Sequence, residues 1–334
     1  MVNGWFVKTM PDLNQKQPQL LKYLTQNAIW WIEYADLSGL RVDTYPYNSR
    51  DEVTKWSKAI MDEYPNFSIV AESWVMNPVH LSYWQKDSPV AALSGFNSHV
   101  THVKDFALYA AVHEAYNGQT PWWDQKMNKI YKVFQNDFLY DNPNNLMVFL
   151  ENHDTTRINE ITADIGDFKI VTTLMATVRG VPQTYYGTEI GMQGLKENGD
   201  ADLRRDFPGG WQEDKRSAFT ESGRTESEKM YYDFTSQVFN WRKNEPVIHY
   251  GNTMHYSPKN EVYTYFRFTK DKTIMVVLNA NKEAQTLDFS RFVERIGSVK
   301  SGKDVFTETE ISLTKPLTIS AKSIKIISFK TPQI

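Results

Sequence analysis

Between Pro18 and Gly39 the apolar positions Leu21, Leu24, Ala28, Ile32 and Ala35 fall three and four residues apart, within PQLLKYLTQNAIWWIEYADLSG. That spacing lines one face of a helix. Pro18 sits near its start and Gly39 just past its end, as helix boundaries prefer. The period then shortens. LRVD, inside SGLRVDTYPY, reads as a short buried strand ending at Asp43. Ser49-Arg50-Asp51-Glu52 matches a capping box, and Val53, Trp56 and Ile60 carry the next helical face. FSIVAE (67–72) has buried-strand character, GFNSHV (95–100) is a weaker strand, and LMVFLEN (146–152) is a strong one. FKIVTTLMATVRG (168–180) is a helix with Phe168, Val171, Leu174, Met175 and Val178 on one side, and VPQTYYG (181–187) is the next strand. Strands alternating with helices through short connections predict βαβ units and a parallel sheet.

Near residue 246 the texture changes. VYTYFRF, TIMVVLNA, QTLDF, LTISA and SIKIISF are short, partly alternating runs separated by turn residues. They predict an antiparallel β-sandwich of about 85 residues, from Tyr250 to Ile334. The domains expected are therefore 1–248 and 249–334.

Composition narrows the classes. The 334 residues are 41% hydrophobic and 23% charged with net charge −3, which gives no electrostatic footprint for nucleic acid. No apolar run approaches the ~20 residues that cross a bilayer, so no membrane partner is expected. The absence of cysteine excludes disulfides and thiolate metal sites. Aromatic residues reach 14%, a content that packing alone can account for and that also suits platforms for the apolar faces of sugars. The opening MVNGWFVKTMPDLNQ shows no basic start followed by an apolar core.

Three of the inferred strands end in an acid: LRVD at Asp43, IVAE at Glu72 and FLENHD at Asp154. In parallel α/β barrels the chemistry sits at the C-terminal ends of strands. One acid there is unremarkable; three on separate strands form a constellation. It suits glycosidic bond cleavage, which needs one carboxylate to attack and one carboxylic acid to protonate the leaving oxygen. The third acid can hold sugar hydroxyls. Arg41 and Asp43 face the same side of a strand, where a guanidinium favours the charged aspartate. Glu72 has an apolar lead-in and Trp74 two residues on, an environment that raises a carboxyl pKa as a general acid needs. A metal use competes, because His153 and Asp154 with Glu72 can make a ligand set. No HxxxH, HExxH or cysteine pair supports it. No GxSxG supports serine chemistry.

These segments resemble the α-amylase superfamily of retaining glycoside hydrolases. GLRVDTYPY resembles the strand-four motif, IVAESW the strand-five motif, FLENHD the strand-seven motif and GVPQTYYGTEIGM the strand-eight segment. MPDLN at 10–14 and RRDFPGGW at 204–211 resemble the neopullulanase and cyclomaltodextrinase branch. The resemblance implies Asp43 as nucleophile, Glu72 as acid/base and Asp154 as transition-state stabiliser. It places Arg41, His153 and Arg157 against substrate. Tyr45, Tyr47 and Trp74 either line sugar subsites or pack the core and loops, with neither reading favoured by the sequence. Trp122 and Trp123 read as helix anchors rather than a platform, and Glu189 as a structural group at the barrel rim.

The resemblance also implies a fold: the C-terminal part of a (β/α)8 TIM barrel, strands four to eight, followed by a small antiparallel β-sandwich domain. Residues 1–16 would be the tail of the loop domain inserted after strand three. Strands one to three have no counterpart, so the chain is expected to be the C-terminal portion of a longer enzyme. The implied substrates are maltooligosaccharides, cyclodextrins or pullulan. A glucan transferase shares the same acids, and a carbohydrate-binding or scaffold role stays open for an incomplete site. No cofactor is expected, with calcium left open for a full-length parent. An open part of a barrel exposes strand edges, so instability alone or self-association is expected. The compartment is unknown from these residues; a periplasmic or extracellular parent is the expectation.

Overall fold

The helix Pro18–Ala35 forms as its spacing requires, with proline in its first turn and Asp36 at φ +50° closing it through a backbone bond to Ile32. Asp36, not Gly39, is thus the terminator. Gly39 instead opens strand β1 (Gly39–Val42), where a Cβ would meet the carbonyl oxygen of Ser68 at 2.9 Å. The computed structural model describes residues 8–118, 121, 123–162 and 164–332. Residues 1–7 of the anticipated loop-domain tail and Trp122 lie outside the described residues. The chain divides into two compact units, Met1–Ala110 with Gln135–Val148 and Ala111–Phe134 with Phe149–Ile334.

In the first unit β1 pairs in parallel with β2 (Ser68–Ala71), Arg41 opposite Val70. β2 pairs in parallel with β3 (His102–Lys104), and β3 with β4 (Leu146–Phe149), Val103 opposite Leu146. The strands of this unit run in chain order, β1-β2-β3-β4; the next strand along the chain, β5 (Val181–Gln183), belongs to the second unit.

Three local expectations are corrected. The third strand is not at 95–100. There the side chains of Asn97 and Ser98 bond the backbone N–H groups of His99 and Val100, and Gly95 and His99 take positive φ, so the chain turns instead of extending. β1 is not buried. Its residues alternate exposed and half-buried because, among the described residues, it is the first strand of the sheet and pairs on one side. Ser49 precedes the helix Arg50–Glu63, but its hydroxyl bonds the Glu52 carboxylate at 2.5 Å and makes no bond to the helix backbone.

The second unit contains the antiparallel part. Its strands are β6 (Asn252–Lys259), β7 (Val262–Phe268), β8 (Lys272–Asn279), β9 (Gln285–Leu287), β10 (Ser301–Asp304), β11 (Glu310–Ser312), β12 (Leu317–Ile319) and β13 (Ser323–Lys330). Six form one sheet in the order β11-β10-β13-β8-β7-β6, and β12 pairs with β9 in a second sheet. Phe266, Met275, Val277 and Ile327 pack with Leu287 and Ile319 between them, which makes the sandwich core. β6, β10 and β11 escape the sequence pattern because polar residues dominate them.

The same unit fastens this sandwich to its helices. The Glu261 carboxylate accepts from the first amides of the helix Lys126–Phe134, at 3.0 Å from Lys126 and 3.0 Å from Met127. Lys322 reaches Asp164 and Asp167 at the start of the buried helix Ile165–Thr177, at 2.6 and 2.7 Å.

Candidate active site

β1 ends at Val42, and the chain turns at once: Thr44 has φ +46°, and a single 3-10 turn runs Tyr45–Tyr47. This leaves the Asp43 side chain 65% exposed. Across the ladder, Glu72 follows the last residue of β2, with its N–H on the Val42 carbonyl at 2.9 Å. Its side chain is sealed, at 3% exposure. One guanidinium serves both acids. Arg41 Nη1 lies 2.9 Å from Asp43 Oδ1, and Arg41 Nη2 donates to Glu72 Oε1. The Thr44 amide adds a bond to Glu72 Oε2 at 3.3 Å.

Burial pushes the Glu72 pKa up, and a hydrogen bond with Asp43 pushes the same way, against the Arg41 charge and the Thr44 amide. A carboxyl so placed holds its proton longer than an ordinary glutamate, as a general acid must. Asp43 presents a half-open carboxylate beside a fixed cation. The two acids thus differ in environment, the usual way one site divides acid from nucleophile.

The third acid sits in the second unit. After β4 the backbone folds over itself: the Asn152 side chain accepts from the Asp154 amide at 2.8 Å, and Thr155 Oγ1 accepts from the Asn152 amide at 2.9 Å. This turn breaks strand alternation and brings neighbouring side chains to one side. His153 Nε2 lies 3.0 Å from Asp154 Oδ2. Arg204 Nη2 lies 2.7 Å from the other oxygen, and its Nε donates to the His153 carbonyl at 2.9 Å. Arg204 was missed as a site residue. The signal was present, since it opens the RRDFPGGW segment, but nothing local ties that loop to Asp154.

Two anticipated substrate contacts are placed elsewhere. Tyr45 is fully buried, its hydroxyl 2.8 Å from Ser57 Oγ and its ring edge-on to Trp84. It packs the turn after β1 and offers no face to a sugar. Arg157 is also fully buried. It pairs with Glu151 at 3.1 Å, donates to the Tyr186 carbonyl at 2.6 Å and lies over the Tyr185 ring at 4.0 Å. Glu151, unremarked in FLENHD, also accepts from the Ile158 amide and the Thr188 hydroxyl. Arg157 and Glu151 tie together the segment after β4 and the one after β5.

Trp74 is 36% exposed and stacks on Phe106 at 4.9 Å, so one face is taken. Trp123 is 67% exposed. Glu189 is half-buried among Tyr185, Tyr186 and Tyr232. Among the described residues no group of three or more His, Asp or Glu gathers as a metal site, and no helix is long and apolar enough to cross a membrane.

A parallel α/β wall with acids at its strand ends, followed by an antiparallel sandwich, defines the class: part of a (β/α) barrel catalytic domain with a C-terminal β-domain. The family comparisons make this specific. Residues 4–275 match the alpha amylase catalytic domain, and residues 253–328 match the cyclo-malto-dextrinase C-terminal domain. The chain belongs to the α-amylase family and is cyclomaltodextrinase-like.

It is 26% identical over 287 residues to a cyclomaltodextrinase of Thermoanaerobacter pseudethanolicus, covering 85% of this chain and 44% of that protein. A cyclomaltodextrin glucanotransferase of Geobacillus stearothermophilus is 23% identical over 311 residues, covering 89% of this chain and 38% of that protein. The chain thus spans less than half the length of these relatives. Among solved structures, the α-amylase of Geobacillus thermoleovorans complexed with acarbose superposes with TM-score 0.79 at 22% identity, covering 99% of this chain and 68% of that one. That likeness is one of fold.

Proposed function

We propose that this chain carries the catalytic acids of an enzyme that cleaves α-glucosidic bonds with retention of configuration. The carrying observation is the Arg41 guanidinium bound to both an open Asp43 and a sealed Glu72 with a raised pKa. In this reading the Asp43 carboxylate attacks the anomeric carbon, and the bond to the glycosidic oxygen breaks as Glu72 gives that oxygen its proton. Water then attacks the glycosyl–Asp43 ester, Glu72 takes the water's proton, and Asp43 leaves as carboxylate. Asp154, held by His153 and Arg204, accepts hydroxyls of the bound sugar. Maltooligosaccharides and cyclodextrins are the substrates in view, by likeness to the cyclomaltodextrinase and the glucanotransferase.

Transfer to a second sugar in place of water uses the same residues, and the glucanotransferase likeness favours testing it. The experiment is hydrolysis of maltotetraose, with product anomers followed by NMR and Asp43→Asn as control. Retained configuration in the wild-type chain and none released by the variant supports the reading. Inverted product overturns it. Acarbose binding without any turnover would leave a carbohydrate-binding module instead. Raised acceptor concentration separates transfer from hydrolysis through the products.

A further inference from the structure

In the second unit, the loop 204–224 leads into the helix Glu226–Lys243 and is closed by its own bonds. The Ala218 amide donates to the Pro208 carbonyl at 2.9 Å, and the Asp214 carboxylate accepts from the Gly209 and Trp211 amides at 2.7 and 3.1 Å. Gly209, at φ +99°, lets the two arms meet, since a Cβ there would run into Ser217. Arg216 grips both oxygens of Glu228 at 2.7 Å. Arg224 donates to the Ala218 carbonyl at 2.9 Å and lies 3.3 Å over the Tyr232 ring. Closed surface loops of this kind often carry function. None of these bonds uses an aromatic side chain of the loop itself, yet Trp211 and Phe219 stand there, each 63% exposed, with Phe207 against Phe219 at 4.5 Å. Clustered exposed rings on a fixed loop mark a binding surface.

The base of the loop says what binds. Arg204 Nη2 lies 2.7 Å from Asp154 Oδ1, and the Tyr186 hydroxyl donates to the Arg205 carbonyl at 2.8 Å, so the loop rises directly from the candidate site. Trp211 follows Arg204 by seven residues, which span about 24 Å at most. A turn from Gly210 back to the Phe207 carbonyl shortens that span. An oligosaccharide with one sugar at Asp154 can cross it. We infer that Trp211, with the paired Phe207 and Phe219, is a stacking platform for outlying residues of an α-glucan bound at Asp154, and that it sets a preference for longer chains. The C–H face of a glucose ring is flat and apolar, and its hydroxyls lie at the rim. An exposed indole among Asp206, Gln212, Glu213 and Lys215 matches both parts. The same surround argues against a protein partner, because interface cores are depleted of charge. A rigid ring on a closed loop loses little freedom on binding. The inference takes its substrate class from the proposed function.

The test is calorimetric titration of the Asp43→Asn chain, which holds sugar without turnover, with maltotriose and with maltoheptaose. In that background Trp211→Ala should weaken maltoheptaose about tenfold, the scale of losing one aromatic anchor, and maltotriose by less than about twofold. Trp211→Tyr should recover most of the loss. Tyr250→Ala, at a ring 82% exposed in the same unit, should change neither sugar. The loop is closed by backbone and by Asp214, Arg216 and Arg224, so Trp211→Ala spares its fold, and circular dichroism checks this. Maltoheptaose should also protect Trp211 from oxidation by N-bromosuccinimide, read in the tryptic peptide 206–215, where it is the only tryptophan. Maltoheptaose affinity unchanged in Trp211→Ala, equal losses for both sugars, or oxidation unslowed by saturating maltoheptaose each overturns the inference. No readout needs bond cleavage. A chain that binds through Trp211 and turns nothing over keeps this result and loses the catalytic reading; one that cleaves maltotetraose with Trp211 indifferent does the reverse.

Discussion

Two arginine–carboxylate clusters stand at strand ends in this chain, and they are built oppositely. In the first, the Arg41 side chain is 35% exposed and that of Asp43 65%. In the second, the Arg157 and Glu151 side chains are both sealed, at 0% and 1%. A sealed pair, its carboxylate also held by the Ile158 amide and the Thr188 hydroxyl, ties two segments together and presents no open carboxylate. An open pair beside one sealed acid has a carboxylate to spare. Sequence treats the two alike, as charges near the end of an apolar run. Exposure separates scaffold from chemistry.

The sharpest break is at the open cluster. Asp43→Asn should remove turnover by about four orders of magnitude or more, on the scale of losing a nucleophile, with little change in thermal midpoint. Glu72→Gln should also abolish turnover of natural linkages yet stabilise the fold above about pH 5. A carboxyl whose folded pKa is raised favours folding at low pH, and that advantage is lost as pH rises past the unfolded value of 4.5. A glutamine at this position has no such loss. Activity profiles and urea midpoints at about pH 4 and pH 7, either side of that value, read both effects. A Glu72→Gln chain less stable than wild type at neutral pH would contradict the sealed, proton-holding acid.

At the sealed cluster the outcome inverts. Arg157→Met leaves Glu151 buried without its cation and should cost about 3–5 kcal/mol, read as a lowered urea midpoint. Arg157→Met with Glu151→Leu should recover part of that loss. If instead Arg157→Met weakens acarbose binding at unchanged stability, Arg157 belongs with substrate after all.

Sealed titratable groups elsewhere extend the contrast to pH. Burial lowers His255 to about 3 and His113 to about 4, from an ordinary 6.5. The unfolded chain takes up protons below that ordinary value, and the folded chain refuses them. Stability is therefore full above about pH 6.5 and falls as pH drops toward about 4, by about 1.4 kcal/mol per unit for each imidazole in that window. His255 stacks on Phe134 at 4.7 Å, so His255→Phe should flatten the acid limb of the stability curve. An unchanged limb in that variant would clear His255 of any part in the acid loss.

How much was legible beforehand follows the same line between local and distant causes. The helix at 18–35, β2, β4 and the β7–β8 hairpin depend on side chains close in sequence, and their periodicity shows in FSIVAE, LMVFLEN and TIMVVLNA. The places of Asp43 and Glu72, each directly after a strand, were legible because strand ends are; Asp154 lies five residues past β4, beyond a turn the pattern did not show. Burial of Arg157 and Tyr45 was not, because it depends on Leu203, Tyr186, Ser57 and Ser98, which arrive from separate segments. Arg204 stands 50 residues from the aspartate it holds. β1 misled in the other direction: its apolar letters promised a buried strand, but a strand is buried only as far as its neighbours cover it.

The smallest effect tests that distinction at single hydroxyls. Ser49 and Thr225 each stand before a helix with glutamate three residues on, a pattern anticipated as a capping box only at Ser49. Only Thr225 closes one: its Oγ1 accepts from the Glu228 amide at 3.2 Å, and the Glu228 carboxylate accepts from the Thr225 amide at 2.8 Å. Ser49 spends its hydroxyl on the Glu52 carboxylate. Thr225→Ala should therefore cost about 1 kcal/mol, the usual value of an N-cap. Ser49→Ala removes no bond to the helix backbone and should cost a few tenths, the scale of a surface change away from a cap. The difference between the two urea midpoints isolates the amide bond from the motif. Equal losses would mean that the residue pattern, and not the bond it makes here, sets the stability of these helix starts.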